Sequence, residues 1–374
     1  MKILFDANPV AQNKKSGIGY FNNMLINALA AYSPEDTFVG HYFNFFGRKH
    51  PAHLPNASNI SYTQSRLVPT KLINLGRRFG LQLPLEFFTR QKADVTIFTN
   101  FVASPTLTKT KKVSLIYDLS FIDCPEFVSD RLATHLTKWV PYTLQSSDLV
   151  IVNCEFVKSR IIDHYHYPSE KITVAPIPPA EHVAPDLSVL TKHNLDSYVL
   201  FVGTIEPRKN IINLVRGYSQ INPQLRDKYP LVLAGGKGWK DSESLKLIDD
   251  LQKKGVNIIL TGYITDEEKA ALYENASICI QPSLYEGFGM PILEAMSYEK
   301  PVVCSDLEVF REVAGNAAEY FDAKDPDQLS ACLARVMDSV ELQEDLSKKS
   351  RDYIQKYPTW QHVAKELHQV FANL

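Results

Sequence analysis

Two glutamates stand eight residues apart in the stretch YEGFGMPILE, residues 285–294. A Gly-Phe-Gly step and a proline lie between Glu286 and Glu294. Paired carboxylates suit general acid–base catalysis, a metal site or glycoside hydrolysis, and each of these needs different neighbours. On this segment alone, a turn cap and a favourable acid in a first helical turn explain the pair about as well as a ligand site does.

The same stretch has the features of a helix start after a strand. Pro291 suits the first helical position, where its missing N–H costs nothing. Phe288, Gly289 and Met290 would then present backbone amides at a helix N-terminus, with Gly287 in the turn before them. This predicts an anion site with a carboxylate on either side, as the phosphates and hydroxyls of a nucleotide sugar would need.

Two further segments could bind phosphate. In FVGTIEPRKN, Arg208 and Lys209 follow a strand, and two cations at the carboxyl end of a parallel sheet suit a diphosphate. A solvated basic pair is the alternative. In LAGGKGW, Gly235 and Gly236 leave another strand and permit close backbone approach to a ligand, although such a turn is weak support by itself.

The N-terminal half has its own glycine loop, NKKSGIGYFNNMLINAL, residues 13–29. Gly17 and Gly19 precede a helix, so this loop could bring amides to a phosphate or a sugar. A dinucleotide fold also has glycines after its first strand, but the third glycine and a ribose-binding acid about twenty residues on are missing here. The dehydrogenase hypothesis is therefore weakened.

Short apolar runs alternate with helical patterns along most of the chain. Many of the runs are apolar on consecutive positions, which is typical of strands covered on both faces. The pattern predicts an α/β protein with two parallel sheets built from βαβ units. The predicted strands are 2–6, 37–43, 94–99, 112–117, 148–153, 198–203, 230–235, 256–262, 276–282 and 301–305, and the predicted helices are 17–32, 129–146, 241–254, 266–275 and 325–339.

Length and composition agree with two globular domains. The 374 residues exceed one ordinary core, and a proline-rich break suggests an inter-domain linker at 176–194. We therefore expect an N-terminal domain over 1–175 and a C-terminal domain over 195–355. The last segment, 356–374, carries one apolar stripe and is predicted to be a helix that packs back on the N-terminal domain.

The bulk properties exclude several classes of protein. A net charge of −2 gives no reason to expect nucleic-acid binding. The five scattered cysteines have no metal-ligand spacing and are typical of free thiols in a reducing compartment. The N-terminus is not a signal peptide and no apolar run is long enough to span a membrane. We expect a cytoplasmic protein.

Taken together, four segments resemble, in order and spacing, the retaining glycosyltransferase family 4. They are GTIEPRKN, LAGGKGW, PSLYEGFGMPILEAMSYEKPVVCSD and FREVAGNAAEYFDAKDP. The resemblance extends from the N-terminal glycine loop to the terminal TWQHVAKEL, essentially the whole chain. It implies the GT-B fold, with two Rossmann-like domains facing a central cleft. The motifs are most similar to those of bacterial mannosyltransferases of surface polysaccharide synthesis.

The resemblance implies a role for each matched residue. Glu286 would lie beside the donor sugar and Glu294 would bind the ribose hydroxyls. Arg208 and Lys209 would bind the diphosphate and stabilise the leaving nucleotide. The amides of the 287–289 loop would contact the sugar and phosphates. In the other domain, the loop with the paired glycines would close the cleft.

The chain departs from the family pattern at two positions. Tyr117 stands where many members have histidine in a His-Asp-Leu motif, and Asp118 follows it in the position of the aspartate. That histidine contacts the donor sugar, so Tyr117 either keeps a hydrogen bond there or is a core residue. Some relatives also have an arginine where this chain has Thr204, which leaves the phosphate charge to the two cations that follow it.

The implied activity is retaining transfer of a hexose to a glycan or lipid-linked glycan acceptor. Mannose from GDP-mannose is the leading donor, and no metal or other cofactor is expected, because cationic side chains and helix ends would take the place of a metal. A UDP-sugar donor and a non-catalytic nucleotide-sugar sensor are the alternatives. An epimerase or a phosphorylase is a further class. A glycosidase is disfavoured, because it needs no diphosphate site.

A basic stretch suggests how the acceptor is presented. Nine cations against two acids lie between 64 and 112, and apolar residues alternate with the cations over 66–92. We hypothesise a peripheral membrane contact at the inner face of the membrane that presents a lipid-linked acceptor. An ordinary amphipathic packing helix is the alternative. The cations are Arg66, Lys71, Arg77, Arg78, Arg90, Lys92, Lys109, Lys111 and Lys112.

Overall fold

A computed structural model describes residues 1–12, 16–48, 51, 54–69, 76, 83–236, 238 and 241–374. The chain forms two compact units. The first consists of Met1–Ile177 together with Pro358–Leu374, and the second of Pro178–Tyr357. Among the described residues, no helix combines the length and the apolarity that crossing a membrane requires.

The first unit is built on a parallel sheet of seven strands in the order β3-β2-β1-β4-β5-β6-β7. Its central strands are buried along their whole length because helices cover both faces, as in Leu149–Val152. The strands are β1 Lys2–Asp6, β2 Thr37–Phe43, β3 Ile60–Ser65, β4 Val95–Phe98, β5 Lys111–Leu115, β6 Leu149–Val152 and β7 Ile172–Val174.

The helices of the first unit connect and cover these strands. The terminal helix, α15 (Trp360–Ala372), packs against α1 (Gly17–Tyr32), where the ring centroids of Phe21 and Trp360 lie 5.7 Å apart. Its N-cap is Thr359, whose hydroxyl accepts from His362 N at 3.3 Å. The helices are α1 Gly17–Tyr32, α2 Leu85–Thr89, α3 Ser120–Asp123, α4 Asp130–Ser146, α5 Glu155–Tyr165 and α15 Trp360–Ala372.

The second unit has a parallel sheet of six strands in the order β10-β9-β8-β11-β12-β13. Its strands are β8 Val199–Val202, β9 Leu231–Ala234, β10 Ile258–Gly262, β11 Ile278–Gln281, β12 Val302–Ser305 and β13 Ala318–Phe321. Its helices are α6 Ser188–His193, α7 Ile211–Gln220, α8 Pro223–Lys228, α9 Ser242–Lys253, α10 Asp266–Asn275, α11 Met290–Ser297, α12 Glu308–Ala314, α13 Pro326–Asp338 and α14 Val340–Ile354.

The predicted α/β class with two parallel sheets is confirmed. Residues 178–194 of the predicted linker cluster with the second unit and include α6, in which Val189 is buried. Each sheet has a point at which the strand order reverses, between β1 and β4 in the first unit and between β8 and β11 in the second. Ligands of open α/β sheets bind at the carboxyl ends of the strands at such a point.

Candidate active site

The loops that follow β8 and β11 meet at the switch point of the second unit. Leu284 N donates to Arg208 O at 2.9 Å, so the two loops share a backbone hydrogen bond. Asn210, in the left-handed conformation with φ of 58°, donates from Nδ2 to Pro282 O at 3.0 Å. These bonds fix the cationic loop beside the glutamate loop.

Glu286 lies at the centre of this junction. Its Oε1 accepts from Lys209 Nζ at 2.6 Å and from Ser283 Oγ at 2.8 Å. Its Oε2 accepts from Arg208 Nη1. Glu286 and Lys209 are each only 7% exposed. The structure therefore brings together three residues that the sequence predicted for one site, from loops about eighty positions apart.

The charges around Glu286 determine its protonation. Burial alone would raise the pKa of this carboxyl, but the charges of Arg208 and Lys209 and the hydrogen bonds from Lys209 and Ser283 outweigh burial and lower the pKa to about 2. Glu286 is therefore ionised at neutral pH and cannot act there as a general acid. Its paired oxygens suit the orienting, electrostatic role that we expect for it.

Arg208 is the more accessible of the two cations. Its side chain is 25% exposed, against 9% for Lys209. Arg208 Nη2 also donates to Glu206 Oε1 at 2.8 Å, and Nη1 to Tyr285 O at 3.1 Å. Two carboxylates therefore share the guanidinium, and of the two cations Arg208 is the better placed to meet an anion from solvent.

The start of α11 offers amides beside this cluster. Gly289 is the N-cap residue with φ of 120°, a conformation that favours glycine, and an added Cβ would lie 3.0 Å from the ring of Phe310. The helix begins at Met290, so Pro291 occupies the second helical position rather than the first, which we predicted for it. In the part of the chain that the structure describes, no acceptor contacts the amides of Phe288, Gly289 and Met290. Three such amides form a favourable place for an anion.

Glu294 lies in α11, one helical turn beyond its start, and is 9% exposed. Its Oε1 accepts from Lys269 Nζ at 2.7 Å, and its Oε2 accepts from Tyr273 OH at 3.1 Å. Both partners lie on α10. Glu286 and Glu294 therefore have separate partners, so they are not an acid–base pair that shares a proton.

The glycines after β9 pack mainly against the protein itself. A Cβ on Gly235 would lie 2.1 Å from Gly203 O, and one on Gly238 would lie 2.5 Å from Ile205 O. Gly236 has open space on that side and accepts from Ile205 N at 3.1 Å. The neighbouring loop therefore leaves no room for a side chain at position 235, whereas Gly236 leaves room for a ligand.

The glycines of the first unit are placed at the start of α1. Ser16 is the N-cap and accepts from Gly19 N at 3.1 Å. Gly19 is buried, and an added Cβ there would lie 2.9 Å from Pro9 O, whereas Gly17 is exposed. Since the Gly19 amide is already satisfied, Gly17 is the better placed of the two for contact with a ligand.

Tyr117 is buried near the switch point of the first unit. Its hydroxyl donates to Thr99 O at 2.8 Å and to Asn22 Oδ1 at 3.0 Å, and burial raises the pKa of this hydroxyl. Its ring packs edge-on against Phe21. These contacts favour a core role for Tyr117. Asp118 accepts at Oδ1 from the amide and the hydroxyl of Ser120, the first residue of α3.

Four residues that contact the predicted site were missed by the sequence analysis. Glu206 and Ser283 bind the cluster around Glu286, while Lys269 and Tyr273 bind Glu294. A usable signal exists for the last two, because they stand one turn apart on a predicted helix and present one lysine and one hydroxyl on the same face. Their partner could not be predicted, since it lies on another helix.

Comparison with known proteins concerns the family and the fold. Residues 188–353 match the family described as Glycosyl transferases group 1. The O-antigen chain mannosyltransferase B of Escherichia coli is 36% identical over 228 residues, which cover 59% of this chain and 60% of that protein. The match therefore spans less than two thirds of that relative. Residues 188–353, which lie in the second unit, are therefore similar to a group 1 glycosyltransferase domain.

Solved structures share the whole architecture at low identity. Sucrose-phosphate synthase of Thermosynechococcus elongatus superposes with a TM-score of 0.75 at 17% identity, over 100% of this chain and 98% of that one. HepE of Anabaena, solved with UDP and glucose, gives a TM-score of 0.71 at 15% identity over 100% of both chains. At such identities the likeness concerns the fold. The predicted GT-B fold and the resemblance to mannosyltransferases of surface polysaccharide synthesis are confirmed.

Proposed function

We propose that this chain is a retaining glycosyltransferase that moves a hexose, mannose from GDP-mannose, to a glycan or lipid-linked glycan acceptor. The observation that carries the proposal is the cluster of Glu286, Arg208 and Lys209 at the switch point of the group 1 domain. The Glu286 loop also carries the amides of 288–290 that begin α11, for which the described residues provide no acceptor. A diphosphate needs both cations and amide donors, and the two adjoining loops that follow β8 and β11 together offer both.

The proposed reaction needs no nucleophile from the protein. The bond between the sugar C1 and the diphosphate oxygen breaks, and its electron pair goes to that oxygen. Arg208 and the amides of 288–290 stabilise the charge that develops there. The acceptor hydroxyl attacks C1 from the same face and gives its proton to a phosphate oxygen. Glu286 stays ionised and holds both cations in place.

Arg208 must rearrange for this reaction. Its guanidinium binds Glu206 and Glu286 in the structure, and a diphosphate presents oxygens of the same charge and similar geometry. We expect Arg208 to release Glu206 and to bind a diphosphate oxygen instead. Lys209 is more deeply buried, so we expect it to keep its partner. The bond from Lys209 to Glu286 is then retained.

The names of similar proteins support mannose as the sugar. The O-antigen chain mannosyltransferase B of Escherichia coli is named for mannose transfer, whereas HepE, solved with UDP and glucose, shares only the fold. A UDP-sugar donor and a non-catalytic nucleotide-sugar sensor are the alternatives. The paired charges at Glu286 favour a catalyst over a sensor, because they lie beside the amides at which a leaving diphosphate would develop charge.

A donor screen tests the proposal. The purified chain is incubated with GDP-mannose, UDP-glucose and UDP-galactose, with and without mannosylated oligosaccharide acceptors, and the anomeric configuration of the product is read by NMR. We expect transfer from GDP-mannose with retention, and undiminished transfer in EDTA, since no metal or cofactor has a role. Binding without turnover of any donor would favour the sensor, and an inverted product would refute the mechanism.

The described part of the basic stretch supports a peripheral contact with the inner face of the membrane. Phe87 and Leu107 are 61% and 68% exposed. Buried Glu86 accepts from Leu107 N at 3.2 Å and so holds the two apolar side chains on connected segments. Lys92 and Lys109 line a concavity of about 480 Å³ in the same unit. Residues 70–75 and 77–82 of the predicted segment lie outside the described residues.

Flotation with liposomes tests this contact. We expect the chain to float with vesicles of phosphatidylglycerol and phosphatidylethanolamine at low salt, and less with neutral vesicles. Replacing both Phe87 and Leu107 by serine should reduce flotation, whereas Val340→Ser, at a hydrophobic residue 60% exposed in the second unit, should not. No flotation of the unaltered chain at low salt would refute the contact.

A further inference from the structure

The carboxylate of Glu294 is held by two side chains of the neighbouring helix. Lys269 Nζ lies 2.7 Å from Oε1, and Tyr273 OH lies 3.1 Å from Oε2. Lys269 and Tyr273 are one turn apart on α10, so one helix face supplies both donors. Each carboxylate oxygen therefore has one fixed partner.

The Glu294 carboxylate can accept few further hydrogen bonds, and only from a restricted direction. A carboxylate has about four acceptor sites, so the two donors leave about two. The Glu294 side chain is 12% exposed and Tyr273 only 1%, so an outside group has a narrow approach to the open sites. Two adjacent hydroxyls of a sugar can donate to both oxygens of one carboxylate. A diol therefore matches what Glu294 leaves open.

Stacked aromatic rings fix the side chain of Tyr273. The ring of Tyr273 stacks on that of Tyr298, with centroids 5.6 Å apart and planes at 14°. The Tyr298 ring also stacks on that of His182, with centroids 3.9 Å apart and planes at 10°. His182 Nε2 lies 3.2 Å from Ser297 Oγ, which donates to Glu294 O at 2.7 Å. This stack fixes the Tyr273 ring and hence the direction from which its hydroxyl meets Glu294.

We propose that Lys269 and Tyr273 are positioning residues that orient Glu294 toward the two hydroxyls of the donor ribose. Lys269 supplies the counter-charge, and Tyr273 fixes the rotation of the carboxylate. Burial lowers the pKa of Lys269, but the charge and hydrogen bond of Glu294, together with the charges of Asp266 and Tyr298, outweigh burial and raise it, so the ammonium stays charged. The inference rests on the proposed function, because it takes Glu294 to bind the ribose of the donor, the role that the family resemblance implies.

The test compares nucleotides that differ only in the ribose. Dissociation constants of GDP and UDP, and of their 2′,3′-dideoxy forms, are measured by calorimetry on the full chain. For the nucleotide that binds more tightly, we expect the ribose form to bind about tenfold or more tightly than the dideoxy form. Glu294→Gln, Lys269→Met and Tyr273→Phe should each bring this ratio toward one, and Lys269→Arg should restore most of it.

A matched control separates this effect from loss of any surface ion pair. Lys253→Met removes a lysine that pairs with Asp249 four residues earlier on α9, and it should keep the ratio of the unaltered chain. Tyr273→Phe removes only a hydroxyl, so it keeps the test decisive if Lys269→Met does not fold.

The outcomes distinguish the two levels of the proposal. If Lys269→Met and Tyr273→Phe weaken both forms of the nucleotide equally, their role is structural and this inference is wrong, whereas the function stands. If Glu294→Gln also keeps the ratio, or the unaltered chain shows a ratio of one or binds neither nucleotide, the role of Glu294 at the donor ribose fails as well.

Discussion

Lys209 Nζ lies 2.6 Å from Glu286 Oε1, across 77 positions of sequence, and both residues are buried. A buried ion pair is stabilised only when both partners are present, since either one alone is an uncompensated charge. Here Arg208 adds a second cation on the other oxygen. The cluster therefore holds its cations in place before any anion arrives, and its stability and its function depend on the same carboxylate.

Replacing Glu286 by glutamine tests this dependence. Glu286→Gln keeps the shape but leaves Lys209 without its counter-charge, so we expect the free energy of unfolding to fall by about 3 kcal/mol. Transfer should slow by about a hundredfold or more, because the cations are no longer held in place. Urea unfolding and the rate of transfer from GDP-mannose measure the two effects.

The control for this variant is Glu319→Gln, which removes an exposed ion pair with Arg335 in the same unit. It should change neither stability nor rate appreciably. Inorganic pyrophosphate should recover part of the stability lost by Glu286→Gln, since it supplies an anion for the two cations. Unchanged stability of Glu286→Gln would show that the cluster is solvated and contributes little.

The two glycines after β9 should respond differently to the same substitution. Gly235→Ala places a Cβ 2.1 Å from Gly203 O, a backbone atom that cannot move aside, so we expect a loss of more than about 2 kcal/mol in unfolding free energy. Gly236→Ala meets nothing within 4 Å and should stay within about 0.5 kcal/mol of the unaltered chain. Thermal and urea denaturation of both variants check this. Equal stability of the two would contradict the close approach of the loops.

The sequence predicted those parts of the fold that depend on local signals. The helix at 17–32 has the bounds that the pattern indicated, and Ser16 caps it. Strand β3, Ile60–Ser65, was missed because an edge strand half exposed to solvent has no continuous apolar run. Strand β7 was missed because it has only three residues.

The candidate site shows the same division. Glycine and proline around Glu286 indicated the turn and the helix start, and the neighbouring motif indicated the two cations. That these cations bind Glu286 itself could not be predicted, because the contact depends on the order of β8 and β11 in the sheet. The partners of Glu294 were missed for a similar reason, since they reach it from another helix.

Removing the hydroxyl of Tyr117 tests whether this residue is structural. Tyr117→Phe leaves Asn22 Oδ1 without its donor, so we expect a loss of about 1 kcal/mol in stability. The KM for GDP-mannose and the preference among donors should not change. Tyr218→Phe is the matched control for stability, since that buried hydroxyl donates to Tyr229 O at 2.9 Å. An altered donor preference with unchanged stability would instead place Tyr117 at the sugar.

Acid should destabilise the first unit earlier than the second. His41 is fully buried in β2, and burial lowers its pKa from 6.5 to about 4, although Asp6 opposes this shift. Between these two values the unfolded chain binds a proton that the folded chain does not, so stability falls as the pH falls from 6.5 to 4. The loss amounts to about 3 kcal/mol. Glu286 affects stability only at lower pH. Its pKa is lowered from 4.5 to about 2, so the stability that it contributes is lost only as the pH falls through that range.

Hydrogen exchange measured by mass spectrometry at several pH values between 7.5 and 4 separates the two units. Peptides of β1 to β4 should lose protection below pH 6.5, while peptides around Glu286 keep theirs to about pH 4.5. His41→Gln should remove the first effect, because glutamine binds no proton in this range. His164→Gln, at an exposed histidine of the same unit, should exchange like the unaltered chain. If the variant at position 41 retained the full pH dependence, another group would have to titrate in the first unit.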